Sequence, residues 1–329
     1  MSLDYAKGIG IILMLFQHSI PQHNFVRLFM QAFGMPIFFV IGGYVWWHKA
    51  NSGKDLRLST TYLKKRLRRL GVPYLVGCLV LALFFELLSI VGGGGHSILH
   101  NLYRTVSLQG IESMWFLPVY LCSEILFLTV MGSEKKHLAI CTAVLVLGLL
   151  HFLVRFEGAP WPFALVEKSL TGFLFFAGGY YCAGHKVHES PLPAVVLFFL
   201  LGLLGARVNG FASFAELHVP SLFFADGLLL SLFVIALCTR IRFDRGFLQK
   251  AVLFYGRETL FILCSNNLII EIIRLFDYKV TGNWLLNNGM LGNCAMFLLL
   301  CTFEWILILL FRSFIVKCSL TVHPKGNSE

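Results

Sequence analysis

The sequence predicts an all-α polytopic membrane protein of about ten transmembrane helices, with both termini cytoplasmic. Three observations carry this expectation. Hydrophobic residues make up 57% of the 329 residues and charged residues only 13%, against about 25% charge in an ordinary soluble domain, and mean hydropathy is +0.76. The apolar residues fall in continuous runs close to the roughly 20 residues that cross a bilayer as a helix, and they do not alternate as barrel strands do. The basic residues gather in alternate loops, as the positive-inside rule requires.

Taken in order, the first span runs near 6–22. Lys7 and His18 bracket an almost wholly apolar stretch from Gly8 to Gln17. Eleven residues at about 100° each bring both side chains to one helix face, about 16 Å apart. Ionisable groups inside a span mark functional sites, and a snorkelling lysine with a headgroup-wetted histidine is the alternative. The second span, 27–48, contains Pro36 with Gly34, Gly42 and Gly43 around it, a composition for a kink and for close helix approach. The third, 72–91, follows a strongly basic loop and ends on a Gly-Gly-Gly-Gly run at 92–95. The fourth, 115–132, opens on Trp115 and carries Glu124. Spans near 136–154, 166–184, 191–207 and 220–239 follow. The ninth, 250–275, holds Asn266 and Asn267, and the tenth covers 290–315.

Orientation follows from Lys and Arg. The loop 49–71 holds Lys49, Lys54, Arg57, Lys64, Lys65, Arg66, Arg68 and Arg69, and Lys135, Lys136, Lys186, Arg240, Arg242, Arg245, Lys250 and Arg257 share its side. The opposite side keeps Arg27, Arg104, Arg155, Lys168, Arg207, Arg274 and Lys279, seven of the 27 basic residues. The basic side is therefore cytoplasmic. The net charge of +10 reflects topology and calls for no nucleic-acid partner. The nine cysteines form no CxxC pair and read as small buried hydrophobes. The histidines other than His18, among them His151 and His218, fall in loops or near span ends and read as solvated or interfacial; no metal site is expected.

Several patterns occur in one order: Asp4-Tyr-Ala-Lys7 leading to His18, the Phe38-Phe39-x-x-Gly42-Gly43-Tyr44 stretch, Arg66-x-x-Arg69 before Pro73-Tyr74, Trp115 through Glu124, and Tyr255-Gly-Arg-Glu-Thr-Leu260. Together they resemble the acyltransferase-3 family of integral-membrane O-acyltransferases, particularly the short bacterial branch similar to fucose 4-O-acetylases. The resemblance implies one transmembrane acyltransferase domain over 1–329, with a membrane core at 1–320 and a short cytoplasmic tail at 321–329; many relatives append a periplasmic hydrolase-like domain, and here this chain is expected to depart from them, with no appended soluble domain. It implies a multi-pass protein of the bacterial inner (plasma) membrane. The activity implied is transfer of an acyl group, acetyl by analogy, from cytoplasmic acyl-CoA to a carbohydrate hydroxyl of a surface polysaccharide or its lipid-linked precursor. Acyl-CoA would be a co-substrate, with no permanently bound cofactor. Relatives often carry a histidine near the end of the ninth span, where this chain has Asn266 and Asn267.

A thioester is already activated, so the chemistry needs a deprotonated hydroxyl and a stabilised oxyanion. His18 is the expected general base. Glu124 is expected to orient it from another helix, or else to make a purely structural helix–helix contact. Lys7, paired with Asp4 three residues away, is expected to meet the donor's phosphates, or to anchor the helix at the interface. Arg66 and Arg69 are guanidinium forks suited to the pyrophosphate and 3′-phosphate of coenzyme A. Asp4, Trp115, Tyr120, Asn266 and Asn267 complete the possible substrate contacts. Two other functions fit the same residues: a proton-coupled transporter with Lys7, His18 and Glu124 as a relay, and an inactive membrane-bound binding protein. The two halves of the chain show no convincing internal repeat of the kind many transporters carry.

Overall fold

A computed structural model describes residues 2–21, 24–92, 98–157, 161–210, 212, 214, 218–241 and 246–322. The described chain is helical throughout its ordered elements: α1 (Ser2–His18), α2 (Phe25–Gly34), α3 (Pro36–Asn51), α4 (Thr60–Gly92), α5 (Ile98–Val106), α6 (Phe116–Met131), α7 (Lys136–Glu157), α8 (Trp161–Gly184), α9 (Leu192–Val208), α10 (Pro220–Arg240), α11 (Phe247–Arg257), α12 (Thr259–Phe276), α13 (Trp284–Asn287) and α14 (Gly289–Val322). Each of the ten expected spans falls on helix. Six described segments are long and apolar enough to cross a membrane: Phe25–Asn51, Thr60–Ile90, Glu112–Met131, Pro220–Arg240, Thr259–Thr281 and Gly289–Ser313. Residues 93–95 of the glycine run, Arg242, Arg245 and most of the tail (323–329) lie outside the described residues.

Two expected spans are not continuous helices. The second breaks after Gly34, and the helix restarts with Pro36 at its first turn, where a missing N–H costs nothing. The expected kink is therefore a helix boundary. The ninth breaks at Glu258, between α11 and α12, and the Tyr255–Leu260 motif straddles that break. The third span starts earlier than hydropathy indicated. At 33 residues, α4 is about 50 Å long and outruns the roughly 30 Å hydrocarbon core, so its first turns carry Lys64 to Arg69 beyond the apolar layer. The short amphipathic α5, in a stretch with no expected helix, packs on α4, where Tyr74 Oη donates to Thr105 O (2.7 Å).

Backbone-close crossings lock the bundle. A Cβ on Gly8 would overlap the Val252 carbonyl, and one on Gly256 would overlap the Asp4 carbonyl, so α1 and α11 touch at reciprocal glycines. The same holds for Gly43 against the Phe176 carbonyl and Gly179 against the Val40 carbonyl, between α3 and α8. Lipid gives no hydrophobic drive for helix association, so small residues that let backbones approach supply it. Around these crossings Phe39, Phe127, Phe173, Phe175, Phe176 and Phe223 are fully buried, largely in edge-on and tilted contacts, which such rings prefer. The outward faces are apolar, with Leu75, Leu79 and Leu83 of α4 and Leu298, Phe303 and Leu310 of α14 exposed. An apolar exterior over a core containing buried Glu124, Glu167, Asp226 and Glu304 is the inverse of a soluble protein. This is a multi-pass membrane bundle.

Candidate functional site

The most heavily charged part of the core is a cleft of about 280 Å³ at the end of the bundle that carries the basic loops. Five elements wall it. α1 contributes Lys7 from its second turn, α3 contributes Trp46 and Lys49 from its last turns, α4 contributes Arg66 and Arg69, α6 contributes Phe116, Tyr120 and Glu124, and the α11–α12 break contributes Gly256, Arg257 and Thr259. Five cations thus face one carboxylate. Lys7 is held by Asp4 at 3.0 Å, as their three-residue spacing predicts.

Glu124 organises the cleft. It is 3% exposed and accepts from Arg66 Nε (2.5 Å), Tyr62 Oη (2.8 Å) and Trp46 Nε1 (3.0 Å). Arg66 lies 5.6 Å from the Tyr120 ring centroid, and Lys49 lies 4.1 Å from that of Trp46. A buried charge pair is stable only when its remaining lone pairs and protons are matched, and here a guanidinium, a phenol and an indole do the matching. The glycine crossings place these groups: Gly42 packs against Phe176 and Tyr120, and Gly256 brings Arg257 up to α1.

His18 is elsewhere. It lines a second cavity of about 320 Å³ at the opposite end of α1, with Ser19, Arg27, Arg274, Asp277 and Asn293. One expectation is corrected here: Glu124 does not orient His18. Among the described residues, the cavity that Lys7 and Glu124 line and the cavity that His18 lines are separate. The reason is helix rise: residues that share a face of α1 eleven positions apart sit about 16 Å apart along its axis, and Glu124 is level with the Lys7 end, tied to the first turns of α4. Glu124 makes its helix–helix contacts instead with Arg66 and Tyr62 of α4 and Trp46 of α3. A relay through Lys7, His18 and Glu124 has no continuous path through a common cavity.

The remaining expected residues divide. Tyr120 lines the cleft. Asn266 and Asn267 are buried beside it, knotted to Ser113: Ser113 Oγ lies 3.0 Å from Leu263 O and 3.1 Å from Asn266 Oδ1, and accepts from Asn267 Nδ2 at 3.0 Å. Leu263 itself lines the cleft. Trp115 faces away, under Lys168 (4.7 Å to its centroid). His151, near the end of α7, makes two defined contacts. Its Nδ1 lies 3.1 Å from Glu167 Oε1 and its Nε2 3.1 Å from His218 O, and His218 Nδ1 lies 2.8 Å from Asn209 O.

Sequence reasoning missed Lys49, Arg257, Trp46 and Tyr62. Faint signals existed. Trp46 and Lys49 are three apart on α3, Tyr62 and Arg66 are four apart on α4, and Arg257 lies within the Tyr255–Leu260 motif.

The fold and site define a multi-pass membrane protein with a cationic cleft at its basic end and a second polar cavity at the other. The chain belongs to the acyltransferase-3 family: the sequence model described as the acyltransferase domain matches residues 2–309, and the protein is an acyltransferase. No curated protein and no solved structure matches it.

Proposed function

We propose that the protein is a membrane O-acyltransferase that moves an acyl group, acetyl being favoured, from acyl-CoA to a carbohydrate hydroxyl of a surface polysaccharide or its lipid-linked precursor. The observation that carries this reading is the five-cation cleft organised by the Glu124–Arg66 pair. Coenzyme A presents a pyrophosphate and a 3′-phosphate, and Lys7, Lys49, Arg66, Arg69 and Arg257 form a cluster of matching charge at the end that the positive-inside rule makes cytoplasmic. Guanidinium groups bind phosphate bidentately. The N-terminus of α12 opens at Thr259 in the same cleft and adds the positive end of its dipole.

Glu124 is a positioning residue. It fixes the Arg66 guanidinium from behind, while Lys7 is held by Asp4 and Lys49, Arg69 and Arg257 meet no second carboxylate among the described residues of the wall. His18 is the general base in the far cavity, where an acceptor from the other leaflet enters. The acceptor hydroxyl loses its proton to His18 as its oxygen attacks the thioester carbonyl. The C–S bond then breaks, and the coenzyme A thiolate leaves and takes up a proton. The charged donor head cannot cross hydrocarbon cheaply, so it stays in the cleft, and its arm must cover the roughly 16 Å along α1 to His18 through a passage that opens between the two cavities on binding. The protein would act in the bacterial inner membrane.

The test uses the full chain in lipid nanodiscs with acetyl-CoA labelled in the acetyl group. Saturable binding with transfer or slow hydrolysis is expected, together with a gain of one acetyl mass in surface glycans of cells that express the chain. Absence of acetyl-CoA binding would overturn the reading.

A further inference from the structure

The wall between the two cavities contains a polar station. On α12, Leu263 lines the cleft and Arg274 lines the His18 cavity. Leu263, Asn267, Ile270 and Arg274 follow one another at steps of four, three and four residues, so they share one helix face. Eleven residues span about 16 Å, the same step that separates Lys7 from His18 on α1. α1 and α12 pack together, and both run from one cavity to the other. The α1 stretch from Gly8 to Phe16 carries no polar side chain. On α12, Asn266 and Asn267 break the apolar run one turn beyond Leu263. Ser265, just before them, is turned to α14, where its hydroxyl donates to Glu304 Oε2 (2.7 Å).

The station presents a free donor. Asn266 Oδ1 accepts from the Asn267 N–H (2.8 Å) and lies 3.1 Å from Ser113 Oγ. A backbone N–H only donates, so the oxygen of the Asn266 amide faces it and the nitrogen points the other way. Ser113 Oγ is itself held by Asn267 Nδ2 (3.0 Å). The Asn266 amide is thus locked from its oxygen side, while its Nδ2 is buried with no hydrogen-bond partner among the described residues. Asn266 is 0% exposed, so the station meets a ligand only when the passage between the cavities opens. A buried amide donor left unmatched is costly and marks a place for a carbonyl oxygen that arrives with a ligand.

The arm of an acyl-CoA carries such a carbonyl at the matching depth. From its phosphate oxygen to its sulfur the arm is a chain of twelve bonds, as many as four extended residues, or about 14 Å. Its first amide carbonyl is the fourth atom past that oxygen, about one third of the way along. Asn266 stands three residues past Leu263 in the eleven that lead to Arg274, about 4.5 Å along the helix. We propose that Asn266 Nδ2 donates to this first amide carbonyl of the pantetheine arm, and that the Ser113–Asn266–Asn267 cluster reads the arm between its phosphates and its thioester. This rests on the acyl-transfer reading and adds to it a residue that sets donor specificity. In a wholly apolar passage the carbonyl would give up its water for nothing. The cluster therefore selects a thioester on an amide-bearing arm over one on a hydrocarbon arm.

The test compares ligands on the full chain in detergent: acetyl-CoA, and an analogue whose first arm amide is replaced by methylene groups. The native protein is expected to bind acetyl-CoA about five- to tenfold more tightly, as one hydrogen bond to a buried donor allows. In Asn266→Leu that preference should disappear. Adenosine 3′,5′-bisphosphate, which has phosphates and no arm, should bind the variant as it binds the native protein. Equal weakening of all three ligands would show that Asn266 only props the fold and would overturn the proposal, as would an unchanged preference in the variant. Equal binding of acetyl-CoA and the analogue by the native protein overturns it with no variant needed, and so decides the question even where Asn266→Leu fails to fold. That result leaves the acyl-transfer reading in place, whereas absence of acetyl-CoA binding removes the acyl-transfer reading and this inference with it.

Discussion

The two ends of α1 look out on cavities of similar size and opposite construction. At the Lys7 end, the one carboxylate in the wall of the cleft is matched by three donors from three residues on α3 and α4, and the α1–α11 glycine crossing holds the wall. At the His18 end, Arg27 keeps a buried N–H without a partner among the described residues, and the wall includes a π-turn and a four-residue helix. A donor common to many reactions suits a cradle whose buried carboxylate is matched by the protein and whose outer cations stay open. An acceptor specific to one cell surface suits a site whose polar groups are completed by the ligand. The two chemistries can then be separated by mutation, because neither set of residues touches the other.

The largest effect should come from the single imidazole at the loosely built end. His18→Ala is expected to lower transfer by about 10²–10⁴-fold, the usual contribution of a general base. Acyl-CoA binding should remain unchanged, because His18 lies about 16 Å along α1 from the cleft. Single-turnover transfer and equilibrium donor binding, measured on one preparation, check both halves. A parallel loss of donor binding would mean that the two ends are one site and would break the comparison.

Next in size is the buried pair at the rigid end. Glu124→Ala leaves the Arg66 guanidinium, whose side chain is 18% exposed, without its carboxylate and strands the Tyr62 and Trp46 donors. Removing one partner of a buried pair typically costs about 3–5 kcal/mol, so the thermal midpoint of the purified protein should fall clearly. Glu124→Gln keeps an acceptor oxygen for Tyr62 and Trp46 and should recover part of the stability. A mutant that melts like the parent would show that the pair contributes nothing to the cleft.

Arg69→Ala and Arg257→Ala probe the open cations of the same wall. Each is expected to weaken acyl-CoA binding about tenfold, near 1.4 kcal/mol, within the range of hydrogen bonds to charged groups, with the Michaelis constant for the acceptor unchanged. Both side chains are exposed, so raising the salt should shrink the difference from the parent. A changed acceptor constant with unchanged donor affinity would place these arginines at the other end of the reaction.

The contrast between the ends also explains what was legible in the sequence. Features that repeat along the chain could be read: the apolar runs, the glycine motifs that became crossings, and the Lys7–His18 face. The break before Pro36 was half legible, because proline marks a boundary or a kink and only tertiary structure decides which. Pairings across the bundle could not be read. Glu124 and Arg66 are 58 positions apart, and an intramembrane carboxylate announces only that it needs a partner. His18 was the nearest ionisable candidate in the apolar sequence, but depth along the membrane normal, which the sequence does not state, decided for Arg66. Lys49 was hidden for the opposite reason: every cytoplasmic loop is basic, so one more lysine carries no information until Trp46 is seen beneath it.

The smallest effect tests how much redundancy the rigid end contains. Trp46 Nε1 and Tyr62 Oη donate to the same Glu124 oxygen, at 3.0 and 2.8 Å. Trp46→Phe deletes one donor and keeps an aromatic ring under Lys49. Because Tyr62 still satisfies that oxygen, the loss should be that of one ordinary hydrogen bond, about 0.5–1.5 kcal/mol. Adding Tyr62→Phe leaves the oxygen with no donor inside a buried site, and the second step should then cost more than the first, since an unmatched buried acceptor bears its full desolvation penalty. A double-mutant cycle in thermal stability reads that excess directly. Strictly additive losses would show that the two donors act independently and that the Glu124 oxygen is reached by water, in which case Glu124 is not the dry, fully matched anchor that sets the cleft apart from the His18 end.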